Sequence, residues 1–303
     1  MVRQLSDAGH RVRALVRPAS DVSRLPAGVE VVRGELAAAD AACSGATGLI
    51  HLAGISGDLL RRGDPGHELR RVNVEGTARL FAAARAAGVR RGVLITSMWT
   101  AVRPELAERS PYVRSRLESE RAAIDAGGGS LRTVLLCPSF VVGAGDRGPN
   151  FPGTIVRAFA RGRLPIAPPG GSMWIAVADA AAAICAALAQ GEPDRRYVLG
   201  AEYLSYRDVG VAVGRVTGRR APRVVPPEFV RTGAAIADRL LAAVGRHAPL
   251  PMTIGVELLC QPEPIDCAAS WGAFGRPRTR VVDAIEQAVD WFRADPRAAR
   301  ARA

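Results

Sequence analysis

The 303-residue sequence has no lysine. Its 41 basic residues are all arginine and face 29 acidic residues, for a formal charge of +12. A balance of that kind invites a nucleic-acid partner. The arginines, however, are scattered, form no long basic run, and have little aromatic company, since aromatics make up 5% of the chain. This fits a compositional bias better than a basic face, and no nucleic-acid partner is expected. Long apolar runs are missing too, so no segment reads as a membrane span, and no signal-peptide pattern is visible. The expectation is a cytoplasmic protein with no membrane partner. Cysteine is sparse: Cys43, Cys137, Cys185, Cys260 and Cys267 include no C-x-x-C pair. That leaves no zinc or redox motif, and the odd number does not suggest a disulfide framework. His10, His51, His67 and His247 show no ligand spacing, so no metal site is expected.

What remains is an ordinary globular composition, 48% apolar and 23% charged. The chain opens on "VRQLSDAGH", the last turns of a helix stopped by Gly9, followed by the alternating strand "RVRALVR". "VEVVRG" (29–34), "GLIHLAG" (48–54), "RGVLITS" (91–97) and "LRTVLLCPS" (131–139) read as further strands. Between them lie a long helix over 67–89 and another over 111–129, with Pro111 near its start and a glycine stop. Strands alternating with helices predict an α/β fold, a doubly wound parallel sheet of Rossmann type. After about residue 150 the pattern changes. A helix over 151–162, a strand running into a helix over 173–190, a strand at 195–200, a helix capped by Ser205, an amphipathic helix within 222–264 and a final one over 280–294 are expected. The division read here is 1–150 as the nucleotide-binding core. Residues 151–303 are mainly a small C-terminal substrate cap, with about 173–200 returning to the core.

Two segments carry chemistry. In "SPYVRSRLESE", Tyr112 and Arg116 lie four apart on one helix face. A fixed cation beside a phenol stabilises its anion, so such a tyrosine can give a proton to a carbonyl oxygen or take one from an alcohol. In "GVLITSM", a strand ends in Thr96 and Ser97, presenting hydroxyls at the edge where doubly wound sheets bind ligands. A hydroxyl there can hydrogen-bond a substrate carbonyl.

In this setting the sequence resembles the extended short-chain dehydrogenase/reductases, the NAD(P)-dependent epimerase/dehydratase family, and within it the dihydroflavonol-reductase-like branch. "VEVVRGEL" is similar to the family's strand and G-D-L, and "LIHLAG" to its V-I-H-L-A-A strand. "VNVEGTARLFAAARAAGVRRGVLITS" resembles the V-N-x-x-G-T helix and the S-S strand after it, and "YVRSRLESE" resembles Y-x-x-S-K-x-x-x-E. "LLCPSFVVGAGD" is similar to R-P-x-x-V-x-G-x-G-D, "WIAVADAAAAI" to H-V-x-D-x-A-x-A, and "WGAFGRPRTRVVDAIEQAVDWFR" to the family's ending. The resemblance implies that Tyr112 is the proton donor, Arg116 its partner, Ser97 or Thr100 the carbonyl-binding hydroxyl, and Asn73 a support beside the site. It places Glu35 and Leu36 near the adenine, and Leu52, Ala53 and Gly54, with Pro138 and Ser139, along the cofactor. Arg17 stands where a ribose 2′ substituent would lie, which favours NADP(H) over NAD(H).

The sequence departs from the pattern in several places. The family's lysine is Arg116, a bulkier planar cation. The usual hydroxyl position is Met98, the turn's arginine is Cys137, the aspartate of G-D-L is Glu35, and the stretch from Ser97 to Tyr112 is short. The resemblance also implies a first strand and G-x-x-G-x-x-G ahead of "VRQLSDAGH". A sequence shortened at its N-terminus is the first expectation. A short form that repacks without the cofactor, or a strand supplied by a partner, are the alternatives.

The function expected is hydride transfer between a nicotinamide cofactor and a carbonyl or secondary alcohol of a small molecule. That molecule would be a sugar nucleotide, a polyketide, or a flavonoid- or steroid-like compound, with contacts from about 139–175 and 222–265. The rival readings are a cofactor-free enzyme of a non-redox step and a non-catalytic binding module. A homodimer through helices 67–88 and 111–126 is expected by analogy.

Overall fold

A computed structural model describes residues 1–56, 65–146, 150–245, 252–260 and 263–294. His247 and parts of the expected substrate segments (147–149, 246–251 and 261–262) lie outside the described residues. In the N-terminal half the order is α1 (Val2–Asp7), β1 (Arg13–Val16), β2 (Glu30–Arg33), α2 (Ala39–Cys43), β3 (Gly48–His51), α3 (Pro65–Leu69), a π-turn (Arg70–Glu75), α4 (Gly76–Ala86), β4 (Arg91–Ile95), α5 (Met98–Val102), α6 (Pro111–Gly127), β5 (Arg132–Pro138) and β6 (Phe140–Val142). There follow α7 (Phe151–Ala160), β7 (Ile166–Ala167), β8 (Gly171–Ala176), α8 (Val177–Gln190), β9 (Arg196–Leu199), β10 (Glu202–Ser205), α9 (Tyr206–Thr217), β11 (Arg223–Val224), α10 (Pro227–Ala243), α11 (Met252–Leu259), α12 (Ala268–Phe274) and α13 (Val281–Ala294).

The central sheet has the order β3-β4-β5-β9, and all its pairings are parallel. β4 and β5 are buried along nearly their whole length, as strands covered on both faces must be. One face packs Leu94 and Leu135 against Phe81 of α4 and Ala123 of α6. The other packs Val93, Val134 and Leu136 against Ile184 and Ala187 of α8. A third cluster joins Met98, Trp99 and Val113 to Trp174, Tyr206, Ile254, Leu258 and Ile285, tying α5 and α6 to the C-terminal helices. Each large side chain buried in these clusters contributes roughly 1.5–3 kcal/mol.

β1 and β2 form a separate two-stranded parallel ribbon in the register Arg13↔Glu30 to Val16↔Arg33. Among the described strands none pairs with the free side of β1 or of β3. The sheet is therefore interrupted where the resemblance puts a first strand. β6, β8 and β10 make a small mixed sheet, and β7 pairs with β11.

The local signals behave as their chemistry dictates. Gly9 ends the first helix at φ +81°. Ser110 caps α6, Pro111 opens it and left-handed Gly128 closes it. Ser205 and Asp208 form a reciprocal capping box on α9. The helix expected over 67–89 forms over 65–86, with a π-helical segment (Arg70–Glu75) set into it; Asn73 of that segment makes the side-chain bonds described below. One expectation needs correction. The single helix within 222–264 is two, α10 and α11; Asp238 of α10 accepts the first backbone N–H groups of α11, from Met252 and Thr253.

Candidate active site

The capped first turn of α6 fixes Tyr112, and one turn apart along the same face follow Arg116 and Glu120. Tyr112 is half-buried against the third cluster. The Arg116 guanidinium carbon lies 5.6 Å from the Tyr112 ring centroid. The same guanidinium rests on Gly54, where a Cβ would collide with it. The missing side chain is thus what lets the cation reach the loop beyond β3. Arg116 Nε is buried and has no hydrogen-bond partner among the described residues.

Asn73 ties that loop to α6. Its Oδ1 accepts from the Ile55 N–H at 2.8 Å, and its Nδ2 donates to the Ile55 carbonyl at 2.9 Å and to Ser115 Oγ at 3.0 Å. Ser115 in turn donates to the Tyr112 carbonyl at 2.8 Å. Asn73 is 1% exposed, so these bonds form away from water, where a lost partner costs most. Thr77 Oγ1 donates to the Asn73 carbonyl and receives His51 Nε2 at 2.9 Å. Burial, and secondarily the Arg116 charge, lowers the His51 pKa to about 4, so this ring is neutral at ordinary pH.

Beyond β4, Ser97 caps α5 by accepting from the Trp99 N–H at 3.4 Å. Thr100 is 1% exposed, donates to the Ser97 carbonyl at 2.8 Å, and sits 3.1 Å from Thr96 Oγ1. Its hydroxyl is therefore committed inward. Thr100 supports the turn that carries Ser97. Met98, at the expected hydroxyl position, is buried in the apolar cluster.

The remaining candidates lie at the carboxyl ends of parallel strands. Arg17 follows β1 and is exposed; Glu35, also exposed, and half-buried Leu36 follow β2, with Leu36 packed against Gly76. Leu52, Ala53 and Gly54 form an exposed run after β3, and Leu52 is half exposed. Pro138 ends β5, and Ser139 beyond it is buried with its Oγ unpartnered. Two orphaned buried donors, Arg116 Nε and Ser139 Oγ, beside bare backbone at one sheet edge can hold a polar ligand with several acceptor atoms. His51, Thr77 and Ser115 have no role in the sequence reading; the H of "LIHLAG" and the S of "YVRSR" were the available signals. Arg196, which bonds Glu120, sits on β9 with no local signal at all.

Residues 1–200 match the NAD dependent epimerase/dehydratase family. The chain is 30% identical to a putative dihydroflavonol 4-reductase of Synechocystis, over 96% of its own length and 90% of that protein's. The chain belongs to the NAD-dependent epimerase/dehydratase family. As a member it is an NAD(P)-dependent enzyme of the extended short-chain dehydrogenase type. It is also 31% identical to sterol demethylase protein B of Methylococcus capsulatus, over 97% of this chain and 94% of that one. The structure of a nucleoside-diphosphate-sugar epimerase from Pseudomonas aeruginosa superposes with a TM-score of 0.76 at 23% identity. That match covers 98% of this chain and 93% of the other, which shows the shared fold. No described helix is long and apolar enough to cross a membrane.

Proposed function

We propose that this enzyme moves hydride between NADP(H) and a carbonyl or secondary alcohol carried on a small, largely apolar ring system. The observation that carries the reading is the Arg116 guanidinium held between the Tyr112 ring and the Gly54 backbone. A bound nicotinamide dinucleotide supplies or accepts the hydride. In the reducing direction the Tyr112 hydroxyl gives its proton to the substrate oxygen as that oxygen gains charge. Arg116 stabilises the phenolate left behind, and Ser97 Oγ donates a hydrogen bond to the same oxygen. Asn73 keeps the β3 loop and α6 in register for this geometry. Leu52–Gly54, Pro138 and Ser139 would line the cofactor, Glu35 and Leu36 its adenine, and Arg17 a 2′-phosphate.

The ring-system substrate is supported by the dihydroflavonol reductase and sterol demethylase names of the two relatives. A division into a core of 1–150 and a region of 151–303 that is mainly cap, with about 173–200 returning to the core, is supported by β9, which joins the central sheet, while β7, β11, α10 and α11 stay outside it. A homodimer through α4 and α6, and a cytoplasmic location, belong to the same reading.

Fluorescence titration with NADPH and NADH, followed by NADPH oxidation with dihydroquercetin and a 3-ketosteroid, tests this reading. Micromolar NADPH binding with turnover of either ketone is the expected result. No binding of either dinucleotide would overturn the proposal.

A further inference from the structure

Glu120 is the one acidic side chain in the buried class among the described residues, at 1% exposure. It lies two turns beyond Tyr112 on α6, facing the sheet. A lone carboxylate in such a place is costly unless it is paired and fully hydrogen-bonded. Both of its oxygens are used. Oε1 accepts from Thr96 Oγ1 at 2.8 Å, and Oε2 accepts from Arg196 Nε at 2.6 Å. Thr96 Oγ1 is 3.1 Å from Thr100 Oγ1, and Thr100 bonds the carbonyl of Ser97. One chain of contacts thus runs from Arg196 through Glu120, Thr96 and Thr100 to the turn that presents Ser97.

Cys137 closes the same space. Its sulfur is 3.5 Å from Thr96 Oγ1 and 3.6 Å from Thr100 Oγ1. Burial, then the Glu120 charge, raises its thiol to about 11, so it stays neutral. In the parallel register Leu135 pairs with Arg196 and Cys137 with Val198, which puts Cys137 and Arg196 on one face of neighbouring strands, toward α6. Position 137 is where the sequence departs from the arginine of the R-P-x-x-V pattern.

We propose that Arg196 is a positioning residue that supplies from β9 the cation for Glu120, beside the uncharged Cys137. Through Glu120 it holds Thr96, the residue that precedes Ser97 and packs against Thr100, and so the aim of Ser97. Arg196 enters from the rim, with 44% of its side chain still exposed, and so needs less desolvation than an arginine rooted at the fully buried position 137. The pairing stands independently of the reaction; the effect on Ser97 rests on the carbonyl chemistry proposed above.

The test is a set of four variants: Arg196→Ala, Cys137→Arg/Arg196→Ala, Arg196→Ala/Glu120→Gln and Arg196→Lys. Arg196→Ala leaves Glu120 buried without a cation, and Tm is expected to fall by roughly 10 °C. Cys137→Arg in that background is expected to recover most of the loss. Glu120→Gln, which removes the orphaned charge, is expected to recover part of it even if the new arginine cannot be packed. In NADPH-dependent reduction of the active ketone, Arg196→Ala is expected to lower kcat at least tenfold with little change in KM. Arg196→Lys should lie between it and the parent. Unchanged Tm in Arg196→Ala, or double variants no better than the single one, would overturn the pairing. Unchanged kcat with a lowered Tm would overturn the positioning role. If neither ketone turns over, the proposed reaction fails and the positioning role falls with it, while the Tm comparisons still judge the pairing.

Discussion

The carboxyl ends of β4 and β5 and the carboxyl end of β3 face one edge of one sheet, yet they are built on opposite terms. Beyond β4, Thr96, Ser97 and Thr100 are buried, as is Cys137 near the end of β5, and Glu120 accepts from Thr96. Beyond β3, Leu52, Ala53 and Gly54 stand exposed, the free edge of β3 meets no described strand, and Arg116, which rests on Gly54, keeps an unsatisfied donor. The first region satisfies its own polar groups except for Ser139 Oγ at the end of β5. The second leaves backbone and a guanidinium nitrogen open beside it. A dry, hydrogen-bonded network can set a hydroxyl or a phenol to within fractions of an ångström, whereas a ligand cleft must leave donors unpaired until its ligand arrives.

This contrast is best tested where its two halves meet, at Tyr112. Tyr112→Phe keeps the ring against Arg116 and deletes only the proton. Turnover should fall roughly a thousandfold while Tm and NADPH affinity stay put; a drop in affinity of similar size would move Tyr112 from chemistry to binding. Next in size is Asn73→Ala, which strips the clamp from both Ile55 backbone groups and from Ser115. With each orphaned group costing about 1–3 kcal/mol, a loss of several kcal/mol in urea melts is expected. A loss below about 1 kcal/mol would show that water replaces the clamp and that the region is less dry than its burial indicates.

His51 offers a sharper probe of dryness. Its folded pKa of about 4 lies below the ordinary 6.5. As pH falls from 6.5 toward 4, the unfolded chain takes up a proton that the folded one refuses. The unfolded state then binds more protons, and stability decreases on acidification by up to roughly 3 kcal/mol. The contribution is fully present above pH 6.5. His51→Gln should flatten the dependence over that window; an unchanged slope would place its origin in the carboxylates. The smallest effect belongs to the open half. Arg17→Glu should shift the NADPH-to-NADH affinity ratio by about tenfold, near 1.4 kcal/mol, and leave Tm alone. No shift would reduce Arg17 to one surface arginine among many.

The local grammar of the chain was legible from residues in short range of one another. The caps at Ser110 and Ser205, the stops at Gly9 and Gly128, the buried strands around Val93 and Leu135, and the pairing of Tyr112 with Arg116 all follow from spacing and side-chain type. The π-helical segment around Asn73 carries no local signal, and the partner of the Asn73 side chain, the backbone of Ile55, lies 18 residues away. Nothing in "TSMWT" says which hydroxyl turns inward; the bond from Thr100 to the Ser97 carbonyl comes from the fold.

By itself the sequence determined which strands would be buried, where helices begin and end, and which phenol a guanidinium would accompany, since steric and hydrogen-bonding preferences act over a few residues. Only the tertiary structure decided that Arg196 reaches Glu120, that Arg116 lies on Gly54, and that β1 and β3 remain apart. Those outcomes depend on strand order and register, which bring together groups dozens of residues distant, and no local pattern encodes a distance across a sheet.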